Sequence, residues 1–116
     1  MEYLVNEEEL QWRDHPSGDW GRGRRKILHS KEKNGSLATV LMVNIPKGGG
    51  NPVHVHEESD DILYILSGKA KMEIEGIGSL EMKKGSCIRI PKNTKHRIHD
   101  VTQDLILYDI FAPATI

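Results

Sequence analysis

Between residues 22 and 111 the chain falls into short apolar runs broken by Gly, Pro and Asn turns. The clearest run is Lys69-Ala70-Lys71-Met72-Glu73-Ile74-Glu75, in which apolar and charged residues alternate strictly. Strand side chains alternate with period 2, so Ala70, Met72 and Ile74 share one face and the charges share the other. A helix, with its period of 3.6, would scatter them around its axis. After the turn Gly76-Ile77-Gly78, Leu80 and Met82 continue the same alternation. Short strands separated by such turns predict an all-β sandwich or barrel.

The rest of the chain is read in the same way. Gly23 to Ser30 is expected to be one strand, closed by the Asn-Gly turn of Lys33-Asn34-Gly35-Ser36, a strong hairpin signal. Leu37 to Ile45 follows, then the loop Pro46 to Pro52, then a strand from Asp61 to Leu66 that ends at Ser67-Gly68. Cys87 to Ile90 and Leu105 to Phe111 complete the set. The amino terminus is polar, with Trp12 and Trp20 as anchors, and Asn6 is placed to cap a short helix with Glu7, Glu8 and Glu9 in its first turn. Residues 14–19 read as a loop, with His15 an ordinary surface His. The expected organisation is an N-terminal arm over 1–22 and a single β domain over 23–116. Leu37–Ile45 and Ile62–Leu66 are apolar on both faces and need cover on both. A second sheet or a second subunit would supply it, and a homodimer is expected.

Length and charge narrow the function classes. The chain has 116 residues and a net charge of -1, which suits one domain. Its basic residues lie among acidic ones, so no nucleic-acid footprint is visible. Arg22-Gly-Arg24-Arg25-Lys26 is the one dense basic stretch and reads as a solvated turn leading into a strand. No apolar run approaches the ~20 residues that a membrane span needs. The N-terminal residues lack the basic-then-apolar pattern of a signal peptide. The single Cys, Cys87, is expected to be a small buried hydrophobe, and a lone Cys suits a reducing cytoplasm.

Chemistry concentrates in Pro52-Val-His54-Val-His56 and in Pro91-Lys-Asn-Thr-Lys-His96. Two His one residue apart point to the same side of a strand. A third His from elsewhere would complete a three-imidazole face for a divalent metal, suited to Zn, Cu, Fe or Ni, and a nearby carboxylate widens the choice to Mn. His29 and His99 lie outside this pattern, and His99 has the opposite strand parity to His96. Leu105, Leu107, Asp109 and Phe111 share one face of the last strand. If that face is internal, Asp109 is a buried carboxyl suited to acid–base chemistry. If Ile106, Tyr108 and Ile110 face inward instead, Asp109 is solvated.

These residues resemble the small single-domain cupins. Their first motif reads Gly, five residues, His-x-His, three or four residues, Glu, six residues, Gly. Here Gly48, His54, His56, Asp61 and Gly68 keep every spacing, with Asp in place of Glu. Their second motif reads Gly, five residues, Pro-x-Gly, two residues, His, three residues, Asn. Gly85, Pro91, Asn93, His96 and Asp100 match it, with Asn for Gly and Asp for Asn. Asn tolerates the left-handed backbone that a Gly position demands. Asp61 is one CH2 shorter than Glu, so it reaches a metal directly only if the backbone approaches closely, and through a water otherwise.

The resemblance implies a double-stranded β-helix, or jelly-roll cupin barrel, with one divalent ion (Mn, Fe, Ni or Zn) on His54, His56, Asp61 and His96. The terminal Asp-x-Phe and the Arg25–Leu28 stretch are similar to cupins that linearise unsaturated uronates. In that group an Asp on the final strand serves the reaction, and Gln stands where this chain has Asp61. The resemblance thus implies an isomerase or ring-opening enzyme for a sugar acid or other small carboxylate. In it Asp109 moves a proton, Phe111 positions the ring, and Arg89 neutralises a substrate carboxylate if it faces inward. An oxygen-dependent dioxygenase and a non-catalytic small-ligand or sensor module are the alternatives. No segment reads as the helix-turn-helix that such regulators usually carry.

Overall fold

The structure, a computed structural model, describes residues 3–16 and 23–116. The anchor Trp20, the end of the 14–19 loop and Arg22 lie outside the described residues. Among the described residues, seven strands form one antiparallel sheet: β1 (Arg13–Asp14), β2 (Arg24–His29), β3 (Thr39–Ile45), β4 (Asp60–Ile74), β5 (Gly78–Lys83), β6 (Cys87–Ile90) and β7 (His96–Ala112). Their order is β1-β2-β3-β7-β4-β5, with β6 also paired to β4. The all-β architecture expected from the alternation is what the chain adopts.

β4 and β7 are longer than the sequence suggested. The Ser67-Gly68 turn is instead a bend inside β4, where the β4–β7 register slips between Ile65 and Lys71. Gly68 has φ 95°, and a Cβ there would drive into the carbonyl of Asp104 on β7. Only Gly permits that approach. The bend divides β4 into two halves with different neighbours: residues 61–64 pair with β6, and residues 69–74 pair with β5. Their inner faces meet in one core. Leu63 and Ile65 from the first half join Met72 and Ile74 from the second, with Met82, Ile98, Leu105 and Leu107. Met72 is wholly buried, and Met72→Ala would cost about 2–5 kcal/mol through lost contacts and a cavity.

Three local expectations are corrected. Residues 33–36 do not form a tight hairpin. Lys31–Asn34 make one helical turn (α1), capped by the Ser30 side chain accepting from the Lys33 N–H, and closed by Gly35 at φ 73°. The Ser cap and the C′ Gly outweigh the Asn-Gly signal. At the N-terminus only a single 3-10 turn, Glu7–Glu9, forms, and the Asn6 side chain makes no cap bond. The basic stretch is not a solvated turn: residues 24–26 are in β2, and Lys26 is buried against the arm. Its Nζ donates to Glu7 Oε2 at 2.8 Å and to the Glu7 carbonyl at 2.9 Å, and it lies 4.8 Å from the centre of the Trp12 ring. These contacts compensate the burial of its charge and pin the arm across β2. Among the described residues, no helix is long and apolar enough to cross a membrane.

Candidate metal centre

Two backbone devices turn the imidazoles toward one point. His54 pairs with His96 as an isolated bridge, each N–H donating to the other's carbonyl at 3.0 Å. This joins the loop after Pro52 to the start of β7. His54 Nδ1 then donates to the Pro52 carbonyl at 2.8 Å, and His96 Nδ1 donates to the Thr94 carbonyl at 2.8 Å. A carbonyl only accepts, so both Nδ1 atoms carry a hydrogen, and in the neutral ring each Nε2 then presents a lone pair. Asn93, where the related motif has Gly, sits at φ 61° and completes the turn before His96.

The carboxylates come from the opposite side of the cavity. Asp61 on β4 pairs with Ile90 on one side and Phe111 on the other. Asp109 on β7 pairs with Leu41 and Leu63. Leu105, Leu107, Asp109 and Phe111 all face inward and are at most 8% exposed. One ligand atom from each of His54, His56, Asp61 and His96 falls within 4.8 Å of the others. Asp61 Oδ2 lies 3.2 Å from His96 Nε2 and 3.5 Å from His56 Nε2, so the shorter Asp side chain still arrives at the cluster.

The electrostatics of the two carboxyls diverge. Burial pulls Asp61 upward, but its interactions with Asp109, His56 and His96 outweigh that and hold it well below the usual carboxylate range. Asp109 is pushed well above that range, by burial first and then by the charge of Asp61. Neighbouring acids cannot both ionise cheaply, so Asp109 holds a proton and Asp61 stays an anion. His54 is drawn down to about 4, by burial first, against the Pro52 carbonyl that favours its charged form. It is a neutral imidazole near pH 7.

These residues fit a divalent cation. His96 Nε2 lies 3.2 Å from an Asp61 oxygen, a pair that a shared proton or a bound cation would hold together. Buried His56 Nε2 and Asp61 Oδ1 have no hydrogen-bond partner, whereas buried polar atoms are normally satisfied. Three imidazoles and a carboxylate form a suitable donor set.

Phe111 packs edge-on to His56, with ring centres 4.7 Å apart. A cavity of about 130 Å³ reaches the cluster at His56, lined among others by His15, Arg24, Arg25, Val43, Asp109 and Phe111. His15 therefore borders the cavity rather than lying on open surface. Sequence reasoning alone does not single out Arg25, because only the register of β2 on β3 tells which face it takes.

Two expectations fail on parity. Ile88 and Ile90 take the inner face of β6, so Cys87 and Arg89 point outward. Arg89 is 63% exposed and bonded to Asp60 at 2.9 Å, away from the cavity, and Cys87 is exposed rather than buried. His99 turns away from the cluster, with Nε2 2.9 Å from the Ser79 hydroxyl.

Known proteins share this architecture. A family model described as "Cupin domain" matches residues 41–111. An uncharacterised protein of Methanocaldococcus jannaschii is 32% identical over 66% of this chain and 61% of its own length. The pectin degradation protein KdgF of Dickeya dadantii is 28% identical over 64% of this chain and 66% of its own. Quercetin 2,3-dioxygenase of Bacillus subtilis is 26% identical over 66% of this chain but only 23% of its own. The matches thus span under two thirds of each of these relatives. Among solved structures, KdgF from a Halomonas species superposes with a TM-score of 0.78 at 25% identity, covering 97% of this chain and 94% of that one. With the metal-fitting cluster and the barrel in place, the matched cupin model assigns the chain to its family: it belongs to the cupins.

Proposed function

We propose that the protein is a metal-dependent enzyme that isomerises, or opens the ring of, a small sugar acid. The observation that carries this reading is Asp109, a buried carboxyl of raised proton affinity beside the His54–His56–Asp61–His96 cluster, sharing a cavity with His56. A divalent ion held by those four residues, Mn, Fe, Ni or Zn, would supply Lewis-acid polarisation of a substrate oxygen. Asp109 then gives a proton to the reacting end of the substrate and recovers one, because its carboxyl is protonated where an exposed Asp is not. Phe111 excludes water and offers a flat face to a sugar ring. Opening the ring of an unsaturated sugar acid only relocates a proton and consumes no oxygen, which matches a site with one acid of high proton affinity.

The likeness to the KdgF proteins supports this reading. Asp61, where the uronate-linearising cupins that the sequence resembles have Gln, gives the cluster an added negative charge, which strengthens its hold on a hard divalent ion. The likeness to quercetin 2,3-dioxygenase favours a second reading, an oxygen-dependent dioxygenase. Elemental analysis of the purified protein, followed by turnover of an unsaturated uronate with and without oxygen, separates them. About one ion per chain and turnover that persists under nitrogen are expected. Oxygen dependence would favour the dioxygenase. Failure to take up Mn, Fe, Ni or Zn, or ligand binding with no turnover of any acid, would sink the enzymatic reading in favour of a binding module.

We also propose that the chain pairs with a second copy. Ile62, Tyr64, Ile106, Tyr108 and Ile110 make a continuous apolar outer face across β4 and β7, and Tyr64 is 44% exposed. Light scattering is expected to give twice the chain mass of 13.1 kDa, and Tyr64→Glu to return it to the monomer value.

A further inference from the structure

We propose that Arg25 is the anion-recognition residue of the cavity, and that it receives the carboxylate of a small hydroxy acid whose other end faces His56 and Asp109. This deepens the function proposed above and rests on that reading for the reacting end of the ligand. Arg25 pairs with Val43, which pairs with Leu107. Directly paired residues share a face, so Arg25 looks into the barrel, and it lines the cavity together with His56, Asp109 and Phe111.

Charge accounting together with partial burial sets it apart from the exposed cations that also lack an ion pair. Lys26 has Glu7, Arg89 has Asp60, Arg97 has Glu73 and Lys71 has Asp100. Arg25 has no acidic partner among the described residues. The cavity's own acids are not ion-paired with it: Asp61 lies against His56 and His96, and Asp109 faces Asp61. Arg25 is nevertheless partly dehydrated, and burial lowers its proton affinity. A guanidinium withdrawn from water without a counter-anion is costly, and a ligand carboxylate removes that cost through two parallel N–H···O bonds.

Size and wall chemistry select the ligand. A volume of about 130 Å³ is roughly four waters at ~30 Å³ each, enough for the acid end of a small molecule. Leu41, Val43 and Phe111 make the surrounding wall apolar. Arg24 also lines the cavity, but it is exposed and has the opposite strand parity to Arg25, and in so apolar a wall a carboxylate is less costly to dehydrate than a phosphate dianion.

The test compares D-galacturonate with its neutral twin D-galactose and with inorganic phosphate, by calorimetry on full-length protein, with metal content measured on the same samples. Wild type is expected to prefer galacturonate over both. Arg25→Gln is expected to lose galacturonate affinity on the order of ten- to hundredfold, with galactose affinity and metal content unchanged. Equal affinity for galacturonate and galactose, tighter phosphate binding, or unaltered galacturonate affinity in Arg25→Gln would overturn the proposal. Should Arg25→Gln not fold, Arg25→Lys decides. Loss of the planar fork must weaken galacturonate severalfold, and an unaltered affinity overturns the assignment. Wild type that takes no metal sinks the enzymatic reading instead, while uronate affinity lost on changing Arg25 still supports the anion site.

Discussion

His54 and His56 reach the centre from a loop, and His96 from the first residue of β7, whereas Asp61 and Asp109 reach it from positions flanked by a strand on either side. The imidazole wall is aimed by local backbone: the carbonyls of Pro52 and Thr94 lie two residues before the rings they orient. The carboxylate wall is aimed by the sheet, because the neighbours of Asp109 are Leu41 on β3 and Leu63 on β4. The rings are oriented locally, but the His54–His96 bridge is what brings two of them together. Sheet-aimed groups receive the low-polarity surroundings that raise a carboxyl's proton affinity. In the proposed function, the difference puts ion binding mainly on one wall and proton movement on the other.

The strongest way to break this comparison is to remove the imidazole wall. His54→Ala/His96→Ala is expected to abolish metal uptake, from about one ion per chain to none by elemental analysis, while circular dichroism still reports the β fold. Retention of an ion would show that His56 and the carboxylates suffice by themselves. Next in size, Asp109→Asn is expected to lower turnover by about 10²–10⁴-fold with metal content intact. Equal losses of metal and turnover would merge the two walls into one function.

A pH series sharpens the comparison more finely. His54 is depressed to about 4 from 6.5, so between those values the unfolded chain binds a proton that the folded chain does not. Stability of the metal-free protein therefore falls as pH drops through that window. Thermal melts are expected to show a steeper decline for wild type than for His54→Asn, and identical slopes would remove His54 from the buried wall. The smallest effect belongs to Arg89, outside both walls. Arg89→Ala is expected to shift stability by under about 0.5 kcal/mol and to leave turnover unchanged. A marked loss of turnover would bring the outer face into the site.

The strict alternation of residues 69–75 and the spacings around His54, His56 and His96 were legible because each is a short-range signal. Period 2 or a backbone carbonyl two residues away decides the outcome. The continuity of β4 through Gly68 was not legible, because Ser-Gly reads as a turn unless Asp104 is known to press against it. The α1 turn was misread because a hairpin and a capped helical turn share Asn34-Gly35, and the deciding bond comes from Ser30.

By itself, then, the sequence determined the class of fold, the three imidazoles and the acid that stands with them. Tertiary structure alone decided which alternating face is internal. Parity has two solutions for every strand, and a choice between them costs nothing until strands pair and one face is removed from water. That choice placed Asp109, Phe111 and Arg25 inside the barrel and left Arg89 and Cys87 outside.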